Sequence, residues 1–353
     1  MTLKDENTNE TRQTARLFTT ALTALICLIT LLVYVDISYP NPDQARMSVH
    51  TMLEFTAHRP FVTRALLPLI AAPVAQLLPG VIVKIGMANP AIGGAMTALD
   101  PGYPAQALAV LIVMYACLLA WVAGLRSLMQ TLQVNRLSSE LGSLAAPLTL
   151  LAFGYSKTYD LATMAAFTWC LALLAQDDRE DRYLIAFTLA SIAKETAVLL
   201  IPLYWLTRRR ADGLILQIEL YIVSRSILFL ATVNNPGATA EGHLSEFIAY
   251  LGHPHALPST ALALAILLVV FWRWQSKPLF LRQAFLVLAP PLLVLHLLVG
   301  FPFEVRVFLE VWPIVMLLML HPRAYDQPTR SKPVGAGLPA GHVVADPGSG
   351  LGQ

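Results

Sequence analysis

The chain has 353 residues, of which 56% are hydrophobic and 13% are charged, and its formal net charge is +2. Soluble domains typically carry about 25% charged residues, so this composition excludes a soluble enzyme, and no nucleic-acid partner is expected. Long apolar runs recur along the chain and are continuous, as in LFTTALTALICLITLLVYV, which indicates α-helices that cross a membrane rather than a barrel.

We predict an all-α, polytopic integral membrane protein with about ten spans. A polar tail, 1–16, precedes the transmembrane domain, 17–321, and a Gly- and Pro-rich tail, 322–353, is predicted to be disordered. The fifth and sixth spans are short and meet at Lys194-Glu195, which predicts two half-length helices at a polar break. The predicted spans are Leu17–Val35, Ala105–Leu125, Leu141–Gly154, Leu161–Gln176, Tyr183–Ala193, Thr196–Leu206, Leu214–Val233, Pro258–Trp274, Ala284–Gly300 and Val307–His321.

The distribution of Lys and Arg predicts the orientation. With both termini in the cytoplasm, most basic residues lie on the inner side, as the positive-inside rule requires. The apolar segment Phe61–Val83 contains Arg64 and three prolines, so we expect it to lie in the outer interface. In a rival topology this segment crosses the membrane and Tyr183–Leu206 forms one helix.

The first outer loop, 36–104, is the longest connection and is predicted to be structured, with interfacial helices. It contains Asp43 directly after a Pro-containing turn. Asp43 suits a helix N-cap, and it also suits a carboxylate at the membrane surface that takes a proton from an incoming hydroxyl group. Both roles stay open.

Two further polar positions interrupt the apolar pattern. Asp160 stands at the start of an apolar helix, as an N-cap or as a carboxylate that faces Asp43 across an outer cavity. Lys194 and Glu195 lie inside an apolar stretch, where charge is costly unless it is paired or hydrated. They form either a mutual or loop-exposed pair or part of a water-filled cavity.

Arginines supply candidate phosphate ligands. Arg306 lies at the outer start of the last span, either as an interfacial anchor paired with Glu304 or Glu310 or as a bidentate phosphate ligand. Arg59 and Arg64 form a second cationic group in the first loop. The outer loop Asn234–Leu257 contains His243, His253 and His255, but these lack recognisable metal-ligand spacing, so neither a metal nor another cofactor is expected.

These motifs together resemble the GT-C superfamily of multi-spanning glycosyltransferases, which use polyprenyl-phosphate sugars. Asp43 lies where that superfamily places its catalytic acidic residue, although the chain reads Asp43-Gln44 where many members carry two acidic residues. KTYDLATMAAFTWCLALLAQ is similar to the Asp-led fourth helix, with Asp160 at the second acidic position. LIAFTLASIAKETAVLLIPLYWL resembles the paired half-helices at Lys194, and EVRVFLEVWPIVMLL resembles a terminal Arg-then-Pro helix at Arg306.

The resemblance implies a bacterial inner-membrane enzyme that transfers a sugar from a polyprenyl-phosphate carrier to a glycan, lipid or protein acceptor on the outer face. It implies that Asp43 and Asp160 are catalytic, and that Arg59, Arg64, Lys194 and Arg306 bind the substrate phosphate. Two alternatives remain: a transporter or flippase of a lipid-linked or small polar substrate, and a non-catalytic subunit of an envelope complex. We find no internal repeat, which is less typical of a transporter.

Overall fold

The structure is a computed structural model that describes residues 3–39, 46–153, 157–176, 179–238, 242–251, 253, 256–300 and 305–320. Within these ranges every regular element is a helix, which confirms the all-α prediction. Short 3-10 turns at Phe61–Thr63, Leu150–Phe153, Glu195–Leu199, Trp274–Ser276 and Val305–Phe308 lie between the α-helices. The α-helices are α1 (Leu3–Ser38), α2 (Val49–Leu53), α3 (Leu66–Leu77), α4 (Gly80–Ala88), α5 (Pro90–Leu99), α6 (Pro104–Thr131), α7 (Arg136–Thr149), α8 (Asp160–Ala175), α9 (Glu180–Ala193), α10 (Leu200–Arg208), α11 (Ala211–Ala231), α12 (Leu244–Leu251), α13 (Ala256–Phe271), α14 (Leu279–Val299) and α15 (Trp312–Met319).

Helix α8 forms the centre of the fold. Every residue from Asp160 to Leu174 is buried except Trp169, because α8 packs between α6 and α9. A helix that is apolar on all sides requires such complete enclosure by protein or lipid. The first polar residue of this central helix, Asp160, is therefore held inside the protein.

In the described part of the chain, four helices are long and apolar enough to cross a membrane: Leu17–Ser38 within α1, α6, α11 and α14. Their length and hydropathy indicate an integral membrane protein. Helix α11 exposes apolar side chains along much of its length, which suits contact with lipid. The remaining predicted spans fall on shorter or broken helices, so the number ten is still only a prediction.

The segment predicted to lie in the interface forms a bent helix pair. Helices α3 and α4 meet at an angle of 105°, and together they pass the length and composition test for one broken span or a re-entrant loop. The break falls at Leu78-Pro79, where both residues have extended backbone angles. Helix α3 packs against α6, which holds this pair on the central bundle.

The loop after α11 fixes the first loop in place. The Asn235 side-chain amide donates hydrogen bonds to the carbonyl oxygens of Phe55 and Ala57, at 2.8 and 2.9 Å. The backbone N–H of Arg59 donates to Pro236 O at 2.8 Å. Gly237 has φ +94°, and a Cβ there would lie 2.6 Å from Arg59 O, so only glycine fits. The loop after α11 therefore fixes the backbone of residues 55–59, which precede Arg64 in the first loop.

Candidate functional site

Charged side chains from five separate segments meet inside the bundle. They come from the end of the Phe61–Thr63 turn, the start of α8, the break after α9, the middle of α11 and the turn before α15. We call this group the charge cluster. Its members are Arg64, Asp160, Lys194, Glu195, Arg225, Arg306 and Glu310.

The first pair in the cluster joins Arg306 to Asp160. Arg306 Nη1 lies 3.1 Å from Asp160 Oδ2 and also donates to Tyr159 Oη at 3.1 Å. The Asp160 side chain is only 1% exposed and that of Arg306 is 8% exposed. The Lys157 backbone N–H donates to the same Asp160 oxygen at 2.8 Å. A charge-assisted bond with this little solvent access is strong and geometrically demanding.

The structure gives Asp160 a position different from the predicted N-cap. Tyr159 is the N-cap residue of α8 and makes no side-chain capping bond, while Asp160 is the first helical residue. The Asp160 carboxylate turns back towards Lys157 and across to Arg306. This carboxylate therefore orients an arginine instead of closing the end of its own helix.

The second pair joins Arg64 to Glu195. Arg64 Nη2 lies 2.7 Å from Glu195 Oε1, and Arg64 Nη1 donates to Tyr159 Oη at 2.6 Å. The guanidinium carbon of Arg64 also lies 4.9 Å from the centre of the Tyr159 ring, and that of Arg306 lies 5.9 Å from it. Both arginines thus contact one buried tyrosine, which sets the distance between them.

The third pair joins Lys194 to Glu310. Lys194 leaves α9 with an extended backbone, at φ −160° and ψ 149°, and its Nζ lies 2.5 Å from Glu310 Oε1. Thr196 Oγ1 donates to the same carboxylate oxygen at 3.1 Å. These contacts rule out two predicted pairings, because Lys194 does not pair with Glu195, and Glu310 does not pair with Arg306.

Arg225 is a member of the cluster that the sequence analysis did not select. It lies within the apolar helix α11 and donates through Nη1 to Thr63 O at 3.1 Å and to Ser191 O at 3.3 Å. Its Nη2 lies 3.9 Å from Glu195 Oε2. An arginine inside an apolar, membrane-spanning helix is costly and commonly marks a functional site. The sequence of α11 alone could therefore have identified Arg225.

Cations outnumber carboxylates in the charge cluster. Among the residues that the structure describes, four cationic and three carboxylate side chains give it a formal charge of +1. Two more cations, Arg46 and Lys157, each lie 5.6 Å from the centre of the Phe61 ring beside it. A largely buried group with excess positive charge and several N–H donors, open to solvent at Glu195, favours the binding of an anion, and guanidinium groups match phosphate best.

The remaining candidates lie elsewhere or beyond the described part of the chain. Asp43 and Glu304 are outside the described residues. Arg59 is bound through its backbone to Pro236, and its side chain makes no ion pair among the described residues. His243 lies 3.2 Å from Glu246, and the described residues contain no group of three potential metal ligands.

The charge cluster is thus the strongest concentration of buried charge in the described structure, and it brings together four of the six predicted site residues: Arg64, Asp160, Lys194 and Arg306. Comparison of the chain with protein-family models, with curated proteins and with solved structures gives no match. What the chain binds must therefore be inferred from the cluster itself.

Proposed function

We propose that the chain is a membrane glycosyltransferase-like protein of the GT-C type, which takes a sugar from a polyprenyl-phosphate carrier. The supporting observation is the excess of cations among the described residues of the charge cluster, whose members, apart from Arg225, are held at the ends and breaks of helices. The carrier phosphate binds beside Arg306, Arg64 and Lys194 while its prenyl chain stays in the lipid.

Energetics favour a functional origin for the cluster. Buried ion pairs are weak contributors to stability, since apolar side chains of similar volume often stabilise a protein equally well or better. Asp160 and Glu310 are each only 1% exposed, so their desolvation is costly. Clusters of buried ionisable groups inside membrane proteins commonly mark a substrate or ion site.

The proposed reaction gives each group one task. The acceptor oxygen attacks the anomeric carbon of the sugar, the bond from that carbon to the phosphate oxygen breaks, and the electron pair stays on the phosphate. Arg306, Arg64 and Lys194 stabilise this negative charge. Asp43 takes the proton of the acceptor hydroxyl group. Asp160 acts as a positioning residue because its carboxylate is already bound to Arg306.

The proposal includes a location. We place the chain in a bacterial inner membrane with both termini in the cytoplasm, and the charge cluster towards the outer face. In this arrangement shorter apolar helices, including α8 and α13, supply predicted spans beyond the four long helices. The carrier then reaches the cluster from the outer leaflet, and the acceptor is a glycan, lipid or protein at that surface.

A non-catalytic role is the competing proposal. It is favoured by the pairing of all three cluster carboxylates, since Asp160, Glu195 and Glu310 each contact a cation in the protein itself. In that case the cluster serves only to connect helices. A transporter would use the same charges with access from both sides of the membrane.

Transfer by purified protein distinguishes these proposals. The protein in lipid nanodiscs is incubated with a panel of polyprenyl-phosphate sugars, and both sugar transfer and release of the free carrier phosphate are measured. We expect release with at least one donor, and a loss of about tenfold or more in Arg306→Lys. The matched control is Arg136→Lys, because Arg136 forms an exposed pair with Glu140 on α7.

A negative result would also be informative. Absence of release with every donor, together with unchanged binding of farnesyl phosphate by Arg306→Lys, would favour the non-catalytic role. Movement of a lipid-linked sugar between leaflets without release of phosphate would favour the flippase.

A further inference from the structure

A second polar site lies between α2, α3 and the start of α6. It is an open groove of about 460 Å³, a size typical of small-molecule sites. None of the charge-cluster residues lines it. The lining residues that carry the inference are Leu53, Glu54, Ala75, Gln76, Tyr103 and Gln106.

His50 organises one wall of this groove. Its Nε2 lies 3.3 Å from Glu54 Oε2, and its Nδ1 lies 3.1 Å from Gln106 Oε1. Its ring stacks on Tyr103 with centroids 3.7 Å apart and planes within 6°. The His50 backbone N–H donates to Asp100 Oδ2 at 3.2 Å. One histidine therefore fixes a carboxylate, an amide and an aromatic ring at the groove surface.

The groove differs in charge from the cluster. Among the described residues that line it there is no lysine or arginine, and Glu54 is the single ionisable carboxylate, with a side chain 52% exposed. The amides of Gln76 and Gln106 both donate and accept hydrogen bonds. This lining disfavours a phosphate and suits an uncharged ligand that both donates and accepts hydrogen bonds.

Apolar groups alternate with these polar ones. Leu53, Ala72, Ala75 and Pro104 supply carbon surface, and Tyr103 stays 44% exposed although His50 covers one face of its ring. Sugars present hydroxyl groups at their edges and C–H groups on their ring faces, so they match a surface of this mixed kind. A simple alkyl chain would offer no hydrogen bonds to Glu54, Gln76 and Gln106 while removing water from their polar atoms, and this desolvation would be costly.

We propose that this groove binds an uncharged polyhydroxyl group of the sugar type, separately from the phosphate at the charge cluster. Glu54, Gln76 and Gln106 contact the hydroxyl groups, Tyr103 contacts the ring, and His50 is a positioning residue. A protein without transferase activity would bind the sugar in the same way, so the two proposals fail separately. The sugar is either free or the headgroup of a glycolipid.

Photo-crosslinking tests the site directly. The full chain in nanodiscs, purified without glycoside detergents, is exposed to octyl glycosides that carry a diazirine in the alkyl chain, in the gluco, galacto and manno configurations. We expect at least one probe to label peptides that contain Glu54 or residues 102–106. Competition by methyl glycosides would indicate a free sugar, and competition by octyl glycosides alone would indicate a glycolipid.

Two variants make the test specific. Gly102 lines the groove, and a Cβ there would meet only Asp100 Oδ1, at 3.7 Å, so Gly102→Leu adds bulk to the groove without a clash at Cβ. The matched control is Gly80→Leu, since Gly80 also faces open space but is not part of the groove lining. Gln76→Leu keeps the side-chain size and removes the amide of an exposed residue.

We expect Gly102→Leu and Gln76→Leu to reduce labelling at these peptides about fivefold or more, and Gly80→Leu to leave it unchanged. Three results would overturn the proposal: no labelling above background with any of the three probes, labelling that Gly102→Leu does not reduce, or equal competition by octanol or octyl phosphate. The last result would show that the alkyl chain or an anion, and not the sugar, occupies the groove.

Discussion

The contact between Arg306 and Asp160 can be separated into a structural and a functional part. Arg306→Met removes the cation and leaves Asp160, 1% exposed, without its ion-pair partner. Loss of one partner of a buried pair typically costs about 3–5 kcal/mol. At about 1–2 °C per kcal/mol for a chain of 353 residues, the Tm is expected to fall by roughly 3–10 °C.

A second substitution restores the balance of charge. Asp160→Asn removes the unpaired charge and keeps an oxygen that accepts the Lys157 N–H, which lies 2.8 Å from the present carboxylate. We therefore expect Arg306→Met with Asp160→Asn to recover most of the lost Tm. Binding of farnesyl phosphate stays at least tenfold weaker than in the unmodified protein, about 1.4 kcal/mol, because the guanidinium is still absent.

Arg306→Lys is the milder form of the same test. For an arginine exposed at an interface, this change is predicted to leave stability almost unaltered. Burial changes that prediction, because a lysine ammonium has no planar fork with which to reproduce the guanidinium contacts to Tyr159 and Asp160. We now expect a moderate loss of Tm in addition to about tenfold weaker binding.

The measurements are thermal unfolding in nanodiscs and equilibrium binding of farnesyl phosphate on the same samples. Normal phosphate binding by the double variant would refute the role of Arg306 as a ligand. An unchanged Tm in Arg306→Met would refute the buried ion pair itself.

Three further predictions concern the proposed base, the tyrosine shared by two arginines and the topology. Asp43→Asn is expected to lower transfer by about 10²–10⁴-fold while farnesyl phosphate still binds, and a normal turnover rate would place the base elsewhere. Tyr159→Phe removes the hydroxyl group that accepts from two arginines and is expected to lower stability by about 1–3 kcal/mol in thermal unfolding, so an unchanged Tm would contradict that shared contact. In a variant without the native cysteines, Thr56→Cys is expected to react with an impermeant thiol reagent from outside and Asp181→Cys is not. Reaction of Asp181→Cys from outside would mean that Phe61–Val83 crosses the membrane.

The sequence predicted the kind of fold and several members of the cluster for one physical reason. Charge inside an apolar run is costly, so Arg64, Lys194 and Arg306 stand out without any structural knowledge. The end of the ninth helix at Ala193 also falls where the polar break predicted it.

The partners within the cluster could not be predicted in the same way. The i, i+4 rule assumes that both residues lie on one continuous helix. Arg306 lies instead in a 3-10 turn, and Glu310 precedes the start of α15 at Trp312. The three ion pairs connect residues far apart in sequence, and only the tertiary fold brings them together.

The number of spans was harder to predict for a related reason. Apolar composition does not reveal where a helix is interrupted, and short helices such as α4 and α5 are divided by Asn89. The Asn89 side chain caps α5 by accepting from the backbone N–H groups of Ala91 and Ile92. The same composition therefore produces a bent, re-entrant arrangement as readily as a straight span.

The order of synthesis gives the cluster a further consequence. Asp160 and Lys194 leave the ribosome long before the turn that carries Arg306 and Glu310, their principal ion-pair partners. During that interval two charges in an apolar setting are exposed to lipid or to the insertion machinery. A chain shortened before Val305 would retain them in this state permanently. Synthesis of the segment from Val305 to Glu310 is therefore the step at which both of these charges gain their ion-pair partners.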